Sequence, residues 1–212
     1  MARIKNGILG AFSGKAGPVV GYMIGDEAYM RGLPRKKTYT DAERLNQKKF
    51  KLVQDYLEDL KDLLKVGFKG YYTKTGGFRA AVAYTRKVAL VTDDAGFYID
   101  PALFRFSGGD LPVAVDPTVA LIEPLKMRID WNAEELPHEI KSDQLMLLIY
   151  DADAYKSKSL IFGGPFRRAG TLTVELPEYF KGKDLDVYIG FVAADRSRQS
   201  DSQYLGRVSV PI

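Results

Sequence analysis

The sequence predicts an α+β protein in three parts: a glycine-rich N-terminal β-hairpin or arm over residues 1–39, a helical hairpin over 40–91, and an antiparallel immunoglobulin-like β-sandwich over 92–212. Three observations predict it. Between Gly7 and Gly25 a glycine recurs every three or four residues, with apolar residues between. A stretch with apolar residues at helical spacing follows, opened by a capping box. Beyond residue 97, short apolar or alternating runs are separated by turn residues.

The arm comes first. A helix containing Gly7, Gly10, Gly14, Gly17, Gly21 and Gly25 would lose roughly 1 kcal/mol at each, and Pro18 would break it. Extended pieces remain, carrying Ile8, Leu9, Phe12, Val19, Val20, Tyr22, Met23 and Ile24, with turns predicted at 13–17 and at Gly25-Asp26. Glycine inside a strand marks a bulge or the close approach of another backbone, here expected from a neighbouring subunit. Gly10, Phe12, Gly14, Gly17, Val19, Val20 and Gly21 are therefore the candidate self-association residues. A basic linker follows, Arg31-Gly32-Leu33-Pro34-Arg35-Lys36-Lys37, with Leu33 held out of helical space by Pro34.

A single helix is predicted over 40–66. Thr40 and Glu43 form the capping box, and Ala42, Leu45, Val53, Tyr56, Leu57, Leu60, Leu63 and Leu64 share its apolar face. Gly67 is the expected left-handed stop. A second helix is predicted over 77–91 with Phe78, Ala81, Val82, Thr85, Val88 and Ala89 buried, folding back on the first.

Strands are then predicted at 103–106, 119–122, 127–131, 145–150, 159–162, 171–174, 187–192 and 207–210. Runs of this number and spacing suggest two packed sheets, with the wholly apolar 145–150 and 187–192 as central strands. Residues 200–206 read as a polar loop into the last strand, with Tyr204 packing inward.

Composition sets the function classes. At 46% hydrophobic and 27% charged the chain can build a core. The absence of cysteine removes disulfides, thiolate metal sites and cysteine nucleophiles. No apolar run is long enough to enter a membrane, and the first residues lack the pattern of a secretory signal. The expectation is a protein cytoplasmic at synthesis, with release as part of a particle as its route out of the cell.

Catalytic motifs fail one by one. A Walker loop around Gly14-Lys15 would need glycine where Leu9 stands and Ser or Thr where Ala16 stands. His138 is the only histidine and reads as a surface residue; Ser107 lacks the nucleophile-elbow pattern. Asp151-Ala152-Asp153 opens like a calcium loop, but Tyr155 and Lys156 take the next ligand and glycine positions. Asp93-Asp94 and Glu134-Glu135 read as loop pairs, and Trp131 as core. No catalytic residue, metal or cofactor is expected.

Charge is uneven. Residues 1–91 hold 18 Lys and Arg against 8 Asp and Glu, and residues 92–212 hold 13 against 19. That asymmetry suits head-to-tail self-association or a polyanion partner. Arg31, Arg35, Lys36 and Lys37, with Lys48, Lys49 and Lys51 on the helix, are the candidate polyanion-binding residues, and Tyr71 and Tyr72 could stack on bases. No nucleic-acid-reading motif accompanies them.

Asn6-Gly7-Ile8-Leu9-Gly10, Phe12-Ser13-Gly14-Lys15-Ala16-Gly17, Val19-Val20-Gly21, Arg31-Gly32-Leu33-Pro34-Arg35-Lys36 and the closing Ser202-Gln203-Tyr204-Leu205-Gly206 occur in one order over nearly the whole chain. In this the chain resembles a family of Bacteroidetes proteins known only as a domain of unknown function. It departs at Met23-Ile24-Gly25-Asp26, where members usually carry a tryptophan and a basic residue. The resemblance implies arm, helix and sandwich, and no chemistry.

The expected function is that of a non-enzymatic structural or assembly protein, phage-derived or virion-like, that forms a homo-oligomer or docks on a larger particle through the arm. One alternative is a nucleic-acid-binding protein without sequence preference. Another is a carbohydrate- or protein-binding sandwich using Tyr98, Tyr155 and Tyr179.

Overall fold

Two glycines turn the arm into a meander. A computed structural model describes residues 3–4 (backbone), 10–33, 38–71, 76–94, 96–134 and 136–212. Its first four strands are β1 (Arg3–Ile4), β2 (Phe12–Ala16), β3 (Val19–Ile24) and β4 (Glu27–Gly32), paired antiparallel in that order. Gly17-Pro18 and Gly25-Asp26 are the two-residue loops, and each opens on a glycine at positive φ (58° and 61°). Glycine first, then a residue with negative φ, is what a II′ hairpin turn requires, and the Pro18 ring supplies that φ. The turn expected at 13–17 is thus displaced: residues 13–16 are strand.

The capping box forms as predicted. The Glu43 amide donates to Thr40 Oγ1 (3.3 Å), and the Thr40 amide donates to Glu43 Oε2 (3.0 Å). The helix it opens is interrupted, however: α1 (Asp41–Leu57) passes through a 3₁₀ turn at Glu58–Leu60 into α2 (Lys61–Gly67). Val53, Tyr56, Leu57, Leu60, Leu63 and Leu64 are buried, while Ala42 and Leu45, expected on the same face, are exposed. Before Val53, α1 buries nothing. Gly67 is not the left-handed stop; Gly70 has that conformation (φ 77°). Gly67 is needed for space, since a Cβ there would lie 2.1 Å from the Phe106 carbonyl oxygen.

The second helix, α3 (Gly77–Tyr84), runs on as a π turn at Thr85–Ala89. A Cβ on Gly77 would meet the Lys65 carbonyl oxygen at 2.7 Å, so α3 starts hard against α2, closing the expected helical hairpin. The wider π turn rotates Val88, expected to be buried, out to solvent, while Ala89 is buried as expected. A small hairpin follows, β5 (Leu90–Asp93) with β6 (Gly96–Ile99).

Seven strands make the sandwich: β7 (Val115–Glu123), β8 (Lys126–Asn132), β9 (Gln144–Asp151), β10 (Lys156–Leu160), β11 (Thr171–Glu175), β12 (Asp184–Val192) and β13 (Gln203–Ser209). Sheet β11-β8-β7 packs on sheet β10-β9-β12-β13, every pairing antiparallel. The strand expected at 103–106 is absent. Phe104 and Phe106 are buried there, but the Phe106 amide is satisfied by Ser202 Oγ (3.0 Å) rather than by a ladder. The run at 159–162 also slips, since β10 ends at Leu160 and Phe162 is exposed.

β9 and β12 are central, as predicted, and their all-apolar sequence has a plain cause. Leu145, Leu147, Ile149, Val187, Ile189 and Phe191 pack into the sandwich core with Met127, Ile129 and Trp131. Met146, Leu148, Tyr150, Tyr188 and Val192 pack the other way, against Leu57, Leu60, Leu64 and Phe68 of the helical layer. A sheet covered on both faces needs apolar side chains at every position. The helices at 40–91 and the strands at 92–212, read apart in the sequence, share one unit: the chain divides into Met1–Arg44 and Leu45–Ile212.

Candidate self-association surface

The unit Met1–Arg44 carries most of the candidate residues. Gly14 pairs with Gly21, Ala16 with Val19, and Gly21 with Met30. Alternation along the strands puts Val19, Gly21 and Met23 on one face, with Ala28, Met30 and Gly32 beside them. The Phe12 ring lies over Gly21, where a Cβ would meet ring carbons at 2.7 Å and the Phe12 carbonyl oxygen at 2.2 Å. Among the described residues this face holds no charge. The close backbone expected at the strand glycines therefore belongs, at Gly21, to the same chain. Gly17 serves the turn, and Gly10 lies in a bend before β2.

Val20, a candidate too, is on the opposite face with Lys15, Tyr22, Tyr29 and Arg31. Tyr22 and Tyr29 stack at 5.6 Å, and the Arg31 guanidinium sits 5.6 Å from the Tyr22 ring centre. Tyr29 donates to the Glu27 carboxylate, which raises the pKa of its hydroxyl above the ordinary 10.0. Among the described side chains of residues 10–40, only Gly21 is buried. Met30 is 66% exposed and all of β4 is open to solvent.

The polyanion candidates on α1 differ in their surroundings. Lys48 and Lys51 are exposed on α1, one turn apart, whereas Lys49 donates to Thr92 Oγ1 (3.0 Å) and reaches the Phe97 ring. Arg35, Lys36 and Lys37 lie outside the described residues, as do Tyr72 and Glu135. Tyr71 is exposed and packs edge-on to Phe68 (5.3 Å). Of the tyrosines proposed for carbohydrate, Tyr155 and Tyr179 flank two adjoining clefts that share Asp59 and Lys156, and Tyr98 on β6 lines neither.

Two of the carboxylates tested for catalysis hold turns. Asp151 Oδ1 accepts from the Asp153 and Ala154 amides (both 3.0 Å), which makes a turn rather than a calcium loop. Asp93 Oδ1 accepts from the Gly96 amide (2.9 Å) in the β5–β6 hairpin. His138 is exposed, Ser107 is buried, and Trp131 is core, donating to the Arg167 carbonyl (2.7 Å). Among the described residues no cluster of His, Cys, Asp and Glu could hold a metal, and no helix is long and apolar enough to cross a membrane.

Sequence reasoning missed Arg167. Its side chain is 2% exposed, pairs with Asp143 (3.2 Å), donates to the Pro112 and Val113 carbonyls (2.7 and 3.1 Å) and lies 3.8 Å from the Phe191 ring centre. Burial raises the Asp143 carboxyl pKa despite that partner. In the sequence Arg167-Arg168 looks like any surface pair. Above it opens a cleft of about 530 Å³ lined by Asp110, Glu139, Asp143, Asp195 and Arg198 among others. Arg198 donates to Asp110 (2.9 Å), so the charges that line the cleft partly neutralise each other.

A three-on-four antiparallel sandwich, with a helical layer on one sheet, places this α+β chain in the immunoglobulin-like class. The chain belongs to the family of unknown function DUF6266, whose model matches residues 11–206. Comparison with the curated proteins gives no match. Among solved structures, the fn3 domain of the human collagen alpha-1(XX) chain is 13% identical, with TM-score 0.36, over 47% of this chain and 85% of that one. The fn3 domain of human contactin 1 is 10% identical, with TM-score 0.32, over 50% and 82%.

Proposed function

We propose that this is a non-enzymatic structural protein that self-associates, or docks on a larger particle, through its N-terminal sheet. One observation carries the reading: a meander whose described side chains bury only Gly21 presents an uncharged face and an open edge. A sheet that covers neither face gains little apolar burial against the entropy of ordering it. A second surface laid on it supplies that burial. Charge instead suits the polyanion alternative. Residues 1–44 hold 8 Lys and Arg against 4 Asp and Glu, and Leu45–Ile212 holds 23 of each, so the whole surplus of +4 sits in the arm unit.

Light scattering over a range of concentration and salt, with and without DNA, tests it. The full chain is expected to give a discrete mass above the 23.7 kDa monomer without DNA. Removal of residues 1–33 is expected to abolish that mass and leave the rest folded, because among the described residues the buried hydrophobics all lie at Val53 or beyond. A monomer that shifts only with DNA, and less so as salt rises, would replace this reading with polyanion binding.

A further inference from the structure

We propose that the associating element is the free edge of β4, and that it pairs with β4 of a second copy, antiparallel, about a two-fold axis through Tyr29. The proposal rests on the self-association reading above. β4 is the outermost strand of its sheet. Just past it the Leu33 amide donates inward to the Pro18 carbonyl (2.9 Å). Peptide groups alternate in direction along a strand. Positions 27, 29 and 31 therefore face β3, and the amides and carbonyls of Ala28, Met30 and Gly32 face the open edge.

Centred on Tyr29, two copies of the strand set Ala28 opposite Met30 twice. Both residues present outward groups, so these become the hydrogen-bonded pairs. The close, non-hydrogen-bonded sites then hold Tyr29 against Tyr29 and, on either side, Glu27 against Arg31. Opposite charges facing each other across strands are favourable, and like charges are not. Sliding the centre to Ala28 or Met30 keeps the hydrogen-bond pattern but sets one charge of the pair against Tyr29. A parallel arrangement sets Glu27 near Glu27 and Arg31 near Arg31. Of these arrangements only the one centred on Tyr29 is self-complementary. Neither charge is committed elsewhere to an ion pair among the described residues: Glu27 accepts from Tyr29, and Arg31 lies over Tyr22. Such pairing is isologous and closes on itself, and it joins the two uncharged faces into one.

The cysteine-free chain makes the register measurable. Cα atoms at a non-hydrogen-bonded antiparallel site lie about 4.5 Å apart, within disulfide reach. Tyr29→Cys in the full chain is expected to oxidise to a covalent dimer, and Lys15→Cys, on the same face but away from the edge, is not. Glu27→Arg and Arg31→Glu, each alone, are expected to weaken the dimer by at least about tenfold. Mixed one to one they should restore it, because each substituted chain then faces the opposite charge. Recovery on mixing also shows that both variants are folded. Met30→Pro removes an outward amide and none directed at β3, and it should abolish the dimer. If the native chain associates while the reversed chains bind as well alone as mixed, the edge pairing is overturned and the apolar face carries the assembly. A native chain monomeric at every concentration would instead overturn the self-association reading itself.

Discussion

Single residues separate the two ways this chain uses glycine. At Gly32 an added methyl would have nothing within 4 Å, and the backbone is not left-handed, whereas at Gly67 the Phe106 carbonyl already fills that space. Gly32→Ala is therefore expected to be neutral to slightly stabilising in urea unfolding, and Gly67→Ala to cost about 1–3 kcal/mol or more. Arg167 makes a larger prediction. Arg167→Met would strand the Asp143 carboxylate in the interior, at about 3–5 kcal/mol near neutral pH. The folded carboxyl already has a pKa above its ordinary 3.8, and without arginine it rises further. A raised folded value means that protonation favours the fold, so the penalty shrinks as pH falls through that value. Unfolding at pH 7.5 and 4.5 should show the variant's deficit narrowing in acid. The same scale shows why residues 200–202 read as loop, whereas 203–206, read the same way, are strand. The polarity of Gln199, Ser200 and Ser202 is plain in the sequence. What it serves is not: Gln199 Nε2 donates to the Lys69 and Gly108 carbonyls (2.6 and 2.9 Å), and Ser200 Oγ accepts from the Phe191 amide (2.8 Å). At Gly108 irregular backbone creates that need, and no periodicity announces irregular backbone.

Elements are legible where a period repeats and illegible where it changes. Alternation and turn chemistry point to eight strands, seven of which form in the sandwich, and a 3.6-residue period points to both helices. That period relates residues within a helix but does not say how far the covering layer extends, so Leu45 falls on a face that is buried only from Val53 on. Leu45→Ala should change stability by less than about 0.5 kcal/mol, and Leu57→Ala should cost about 2–5 kcal/mol. The π turn hides likewise, because one added residue in a turn shifts every later position. Ala89→Leu is expected to overpack the helical layer by about 1–3 kcal/mol while Val88→Leu is tolerated, and a thermal melt of each decides it.

Across the whole molecule, what the sequence shows of the candidate surface is its glycine spacing; which face and which edge lie open needs the strand register. The two units should also differ in hydrogen exchange. Amides of β9 and β12, covered on both faces, are expected to exchange slowest. Those of β4 should gain protection only when concentration drives association. The doubly covered sheet carries one more consequence, for the order in which the chain is made. The Tyr56 carbonyl receives its hydrogen bond from the Tyr150 hydroxyl (2.8 Å), 94 residues later. Leu57, Leu60, Leu64 and Phe68 share a core with Tyr188 and Val192. During synthesis the helical hairpin therefore leaves the ribosome with its oily side bare, and the central strand pair that covers it is present only when β12 emerges. In that interval the self-association proposed for the arm would have its first opportunity, since the arm is already outside with an open edge.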